Sequence, residues 1–155
     1  YNNLGVIYRE KGQYEKALKM HEEALRIRDS LNIPPDQAES YHNMGALNFH
    51  LGKWEEALEW HYRSLKIRKE LKDDSETALS YLEIARAQYE LDSIQPALNN
   101  LKEAIALGES TRFNSLTRRA YSTYYQFFWL YLKILTLRPS NRHHQTQEAF
   151  YYTSF

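Results

Sequence analysis

The chain has 155 residues, with 20 Lys and Arg balancing 20 Asp and Glu, so zero formal net charge removes any global electrostatic argument for nucleic acid or membrane. With no cysteine, neither disulfides nor thiolate metal sites are available. Five Gly and four Pro are few beside the many Ala, Leu, Glu, Lys and Arg, so helix propensity favours an all-α chain.

In chain order the pattern predicts pairs of helices, the first of each pair termed A and the second B. Helix A of the first pair runs from Tyr1 to about Lys11, and helix B from about Gln13 to Leu31, where Asn32-Ile33-Pro34-Pro35 stops it. Asp36 is the expected cap of the next helix A, with Glu39 three residues on completing a capping-box pattern; that helix covers about 35–51. Helix B follows from Trp54 to about Lys72. Asp73, Asp74 or Ser75 caps a third helix A that reaches Leu91. Pro96 falls in the first turn of the third helix B, where a missing N–H is harmless, and that helix ends near Gly108. The chain opens on Tyr1, inside a helix pattern and without an initiator Met, which reads as a fragment of a longer protein. A cytoplasmic location is the expectation.

These elements recur at a step of 40 residues. Tyr1, Tyr41, Tyr81 and Tyr121 correspond, as do Leu4, Met44 and Ile84, and then Gly5, Gly45 and Ala85. In the second helix Tyr14, Trp54 and Ile94 correspond, followed by Ala17, Ala57 and Ala97, then Leu18, Leu58 and Leu98, then Leu25, Leu65 and Ile105. Such a period, with two helical patterns per unit, signals a stacked solenoid rather than one globular core. Tyr41, Met44, Gly45, Asn48 and Leu51 fall on one stripe of helix A; Trp54, Ala57, Leu58, His61, Ser64, Leu65 and Ile67 form the stripe of helix B. Small Gly45 facing small Ala57 is expected to let the two backbones approach closely. Gly12 and Gly52 supply the left-handed residue that ends helix A, with Asp92 as the third version.

The string Tyr1, Leu4-Gly5, Tyr8, Gly12, Tyr14, Ala17-Leu18 and Ala24 resembles the tetratricopeptide repeat. The second copy matches almost as fully. The third, with Ile84-Ala85, Tyr89, Ile94, Ala97-Leu98 and Ala104, is degenerate but in register. The 40-residue step and Asn3-Leu4-Gly5 look like the extended variety in kinesin light chains and Leu-Gly-Asn scaffold proteins. The resemblance covers residues 1 to about 110 and implies a right-handed superhelix of three units, 1–35, 36–75 and 76–110. It further implies a non-enzymatic module that binds a peptide or partner helix in its concave groove. Asn3 and Asn43 stand where such proteins carry an Asn that clamps ligand backbone; the competing reading is an Asn bonded to a neighbouring repeat's backbone. An amide offers donor and acceptor together, which matches the backbone of an extended peptide. The third unit has Glu83 there, so the clamp is incomplete.

The same register places Asn2, Val6, Arg9, Glu10, His42, Ala46, Phe49, His50, Leu82, Arg86, Tyr89 and Glu90 on the groove face. Phe49 and Tyr89 would pack apolar ligand groups, and Arg9 and Arg86 would pair with carboxylates; the competing reading is a merely solvated face. The six histidines suggest neither metal nor cofactor. His21 and His61 take equivalent core-edge places, His143 and His144 diverge on a helix, and His42 and His50 are two turns apart. Without a Gly-rich phosphate loop, a nucleophile elbow or a paired-carboxylate cleft, no enzyme is expected.

The charge balance hides an asymmetry. Residues 111–155 carry six Arg or Lys against the single acid Glu148, together with 12 of the 22 aromatics. Residues 111–139 read as a degenerate fourth repeat or a helix, from about Ser115 to Leu137, that caps the apolar end; 140–155 form a tail without a period. Phe127 to Leu137, interrupted by Lys133, is too short to span a bilayer. Arg118, Arg119, Arg138 and Arg142 among aromatics also fit nucleic acid or a membrane surface, but the cap accounts better for Tyr124, Phe127, Phe128 and Tyr131 at helical spacing. Aromatics left over point to self-association, the second functional reading: the input or dimerisation segment of a larger signalling protein.

Overall fold

The computed structural model describes residues 1–112 and 128–136. Six helices follow in order: α1 (Asn2–Glu10), α2 (Tyr14–Leu31), α3 (Pro34–His50), α4 (Trp54–Glu70), α5 (Asp74–Glu90) and α6 (Ile94–Arg112). Residues 128–136 form a further helical stretch. Each helix packs against the next, and α3 touches both α1 and α5, so the A helices line one side of a stack of pairs. Among the described residues there is no strand.

The turns inside the pairs share one geometry. Gly12, Gly52 and Asp92 all take left-handed φ, at 69°, 72° and 56°. The residue after each closes the helix end in the same way: Gln13 N–H donates to the Tyr8 carbonyl at 2.8 Å, Lys53 to Asn48 at 2.9 Å and Ser93 to Gln88 at 2.8 Å. A Cβ at Gly12 or Gly52 would meet nothing within 4 Å. Glycine is therefore favoured there for its φ and not for space, which is why Asp92 is tolerated.

Helix starts agree with expectation in one case and depart from it in another. The Asp73 side chain accepts from the Glu76 N–H at 3.0 Å and caps α5. Asp36 does not cap α3. That helix begins at Pro34, ahead of it, because two prolines are compatible with a first turn whose N–H groups have no helical partner, and Ile33 takes the cap position without a side-chain bond. At the other end α6 runs on to Arg112, past the stop expected near Gly108.

Within the first two pairs a histidine packs directly on a glycine. A Cβ on Gly5 would sit 2.6 Å from His21 Cε1, and one on Gly45 would sit 2.6 Å from His61 Cε1. Both imidazoles are fully buried rather than at the core edge. Gly45 thus makes room for His61's ring. In the third pair the same two places hold Ala85 and Leu101, both fully buried. Leu101 belongs to an apolar cluster with Leu82, Ala97, Leu98 and Ile105, which Tyr131 and Ile134 of the 128–136 stretch also join.

Successive pairs are joined by a recurring polar link. Arg28, at the end of α2, donates to Ser40 Oγ at 3.0 Å and to the Asp36 carbonyl at 3.1 Å on α3, and pairs with Glu39 at 3.0 Å. Forty residues on, Arg68 donates to Ser80 Oγ at 2.8 Å and to the Glu76 carbonyl at 3.1 Å, and pairs with Glu76 at 2.7 Å. Charge-assisted bonds of this kind are worth about 1.5–3 kcal/mol each when shielded from water. The outer side of α1 is the exception to this coverage: Leu4 and Ile7 are 47% and 44% exposed, whereas their equivalents Met44 and Leu47 are 5% and 0%. Leu51, expected on the buried stripe of α3, lies at the helix end and is exposed.

Candidate functional site, a groove across the A helices

A cavity of 420 Å³ opens between α1, α3 and α5 and is lined by Val6, Arg9, Ala38, His42, Asn43 and Leu71, with Glu39, Arg68, Asp73 and Glu76 around it. Arg9 is half-buried and makes no hydrogen bond or ion pair among the described residues. Arg68 is committed to Ser80 and Glu76. Arg9 is thus the lining cation left to face a ligand.

The two clamp candidates separate. Asn43 is buried, at 7% exposure, while Asn3 on α1 is exposed. The interior place in the first pair is taken by Asn2. Its Nδ2 donates to Glu39 Oε1 at 2.9 Å, its Oδ1 accepts from Asn43 Nδ2 at 3.0 Å, and His21 Nδ1 lies 3.1 Å from that same oxygen. Asn43 therefore bonds a side chain of the neighbouring repeat and not its backbone, and has its Oδ1 and its second Nδ2–H left over.

Further along, the groove candidates pair with one another. The Arg86 guanidinium lies 4.8 Å from the centroid of Phe49 and pairs with Glu83 at 3.0 Å. Phe49 also meets His50 edge-on at 6.2 Å, and His50 stacks on Tyr14 at 6.4 Å. Lys133 reaches over Tyr89, 4.8 Å from its centroid, and Tyr89 packs against the third pair's apolar cluster. His42 lies beside His61, ring centroids 5.5 Å apart. Leu82, expected on the groove face, is instead buried in the core.

Electrostatics follow from burial. Burial pushes the Glu83 carboxyl up, opposed by the bonded Arg86 and by Arg9 and Arg68. His50 is lowered by burial and by Arg9 and Arg86. His21 is pushed down to about 4 by burial, then by Arg9 and Arg28; His61 is pushed down to about 3 by burial, then by Arg68 and Arg86. Asn2 Oδ1 can only accept, so His21 carries its hydrogen on Nδ1. Neither His61 nitrogen has a partner among the described residues. Both rings serve as neutral packing groups.

Sequence reasoning placed Asn2 on the groove face but not at the centre of a network, and overlooked Arg28, Arg68, Ser40 and Ser80. Their signal was present: both pairs recur at the 40-residue step that identified the aromatic positions. Among the described residues no group of three potential ligands could hold a metal, and no helix is long and apolar enough to cross a membrane.

The comparisons agree on one family. The sequence matches the tetratricopeptide repeat over residues 36–110 and again over 1–30. No curated protein matches it in sequence. In structure, the TPR domain of Arabidopsis FLU is similar at 28% identity and a TM-score of 0.66, over 70% of this chain and 92% of that one. BtubC (BKLC) from P. vanneervenii is similar at 20% identity and a TM-score of 0.71, over 88% of this chain and 55% of that one. The nearly identical TPR-like repeats assigned to a kinesin light chain of Podosopora anserina give 20% and 0.65, over 92% and 74%. Repeats of this family generally mediate interactions between proteins. With its 40-residue register, its shared turn geometry and these matches, the chain belongs to the tetratricopeptide-repeat family.

Proposed function

We propose that the chain is a non-enzymatic interaction module that holds a peptide or partner helix in the groove across α1, α3 and α5. The observation that carries this reading is the cavity beside Arg9 and Asn43, where a half-buried guanidinium and an amide oxygen are left uncommitted while Glu39, Arg68, Asp73 and Glu76 are bonded to other residues. Three pairs of helices preform the surface, so little ordering entropy opposes binding. Phe49 with Arg86, and Tyr89, extend the face along the stack beyond the cavity. Asn3 and His42 complete the set of groove residues, Asn3 at the exposed rim.

A random peptide library displayed on phage, selected against the immobilised chain and counter-selected against Arg9→Ala and Asn43→Ala variants of matched melting temperature, tests this reading. Peptides lost on either variant support it, and peptides that bind both variants as well as the parent would move the site elsewhere. A second reading, self-association through the aromatic C-terminal part, is favoured by Trp129, which is 71% exposed on an apolar patch with Leu130 and Leu132. Sedimentation equilibrium of the parent and a Trp129→Ala variant separates the two readings: a concentration-dependent dimer lost in the variant establishes the second.

A further inference from the structure

We infer that copies of the chain stack end to end, the 128–136 helix of one copy seating Trp129 and Leu132 on the Leu4 and Ile7 face of α1 in the next. The inference rests on the self-association reading above and names the surface that Trp129 meets. It starts from a difference between equivalent positions. Met44 and Leu47 on α3, and Ile84 and Ala87 on α5, are all 5% exposed or less, whereas Leu4 and Ile7, at the same register on α1, are 47% and 44% exposed. Both α3 and α5 pack against the helix before them, α2 and α4 respectively. The neighbours of α1 are α2 and α3, which both follow it. The side on which its two later counterparts each receive a helix is therefore bare among the described residues.

The 128–136 stretch presents the converse, a helix with one apolar side uncovered. Tyr131 and Ile134 turn into the third pair's cluster, with Leu130 and Leu135 packed against it. Trp129, 71% exposed, is left on the other side with Leu132 and Thr136, and a cavity of 600 Å³ opens beside them. Trp129 and Leu132 are three residues apart on one helical face, as Leu4 and Ile7 are, so the two strips match in spacing. None of these four side chains carries a charge, and Lys133, which borders Trp129, reaches over Tyr89. Removal of apolar surface from water drives the contact. Within one copy the two strips lie on the first and the last units of the stack, so they meet only between copies. Such a pairing is heterologous: each added copy leaves one face of each kind open, and growth continues past a dimer unless a ring closes. The seam is small, so association is weak and is read at high protein concentration.

Sedimentation equilibrium of the full chain, a Leu4→Gln/Ile7→Gln variant and the Trp129→Ala variant tests this. Both variants alter exposed positions and are taken forward at the parent's helix content and melting temperature; if the double variant loses helix, Ile7→Gln alone takes its place. The parent is expected to gain mass with concentration, and each variant to associate at least about tenfold more weakly. The decisive sample is the equimolar mixture of the two variants. Each keeps the face that the other lacks, so the mixture is expected to regain association with the parent's strength and to stop at a dimer. If Trp129→Ala abolishes association while the α1 variant behaves as the parent, the inference is overturned and self-association between two Trp129 faces remains. Loss in the α1 variant with none in Trp129→Ala, or a mixture no stronger than its components, overturns the pairing as well. A parent of constant mass at every concentration removes the self-association reading and this inference together.

Discussion

The first two helical pairs and the third solve the same packing problem with different chemistry. In the first two, a glycine receives a buried imidazole, Gly5 with His21 and Gly45 with His61, and an arginine ties the pair to the next one. In the third, Ala85 and Leu101 share one apolar cluster, the place of Arg28 and Arg68 is held by Gly108, and Tyr131 and Ile134 join that cluster. Arginine links join units that continue the stack, and an apolar cluster together with Lys133 over Tyr89 joins the last unit to the 128–136 stretch. What differs is how each seam responds to solvent, charge and substitution.

Acid should break the comparison most strongly. His21 and His61 have folded values of about 4 and about 3, below the ordinary 6.5, so between those values and 6.5 the unfolded chain binds more protons than the folded one. Stability therefore rises with pH in this window and is lost as pH falls below 6.5, by at most about 1.4 kcal/mol per pH unit for each histidine. Chemical denaturation from pH 7 to pH 4.5 checks this, and a flat profile would remove the two rings as neutral core groups. Arg68→Ala comes next. With Arg68 only 5% exposed, its loss is expected to destabilise by on the order of 3 kcal/mol, and Arg28→Ala, more exposed, by about 1 kcal/mol.

Gly45→Ala forces a Cβ against the His61 ring and should lower stability by about 1–3 kcal/mol. Adding His61→Leu, which copies the third pair, is expected to recover most of that loss and also to flatten His61's share of the acid profile. A double mutant no better than the single would show that the two solutions are not interchangeable. The smallest effect lies in the turns. Asp92→Gly copies Gly12 and Gly52 at a left-handed φ of 56° and should stabilise by less than about 1 kcal/mol, read as a shift in denaturation midpoint.

Most of the stack was legible in the sequence because its cues are local or periodic. Gly12, Gly52 and Asp92 announce their turns by backbone preference alone, and Asp73 announces a helix start. The cap of α3, not its span, was misplaced: Asp36 and Glu39 form a plausible cap, while Pro34 and Pro35, which stop α2, are equally able to open α3. The groove was legible only as a face. Helical spacing puts Phe49, Arg86 and Asn43 on that side, but whether a side chain is free for a ligand depends on what stands across from it. Phe49 stands across from Arg86, Lys133 across from Tyr89, and Asn2 across from Asn43. Those pairings are set by the angle between helices, which no single helix encodes. Arg28 and Arg68 were overlooked for another reason: a charged residue near a helix end has an ordinary explanation in the dipole, and here the same residue reaches across to the next helix.

The arginine links also bear on how such an array can be cut and recombined. Each guanidinium belongs by sequence to one unit and by bonding to the next, so the boundary that the repeat draws along the chain is not where the interactions divide. A segment excised at residue 35 or 75 keeps its arginine and loses the serine and the carbonyl that the arginine bonds on the next helix. Transplanted elsewhere, it would fit only beside a unit offering a serine and a carbonyl at the matching places of its first helix. Exchange among repeats in this family would then be constrained less by the conserved-looking aromatic and glycine positions than by who speaks to whom across the joint.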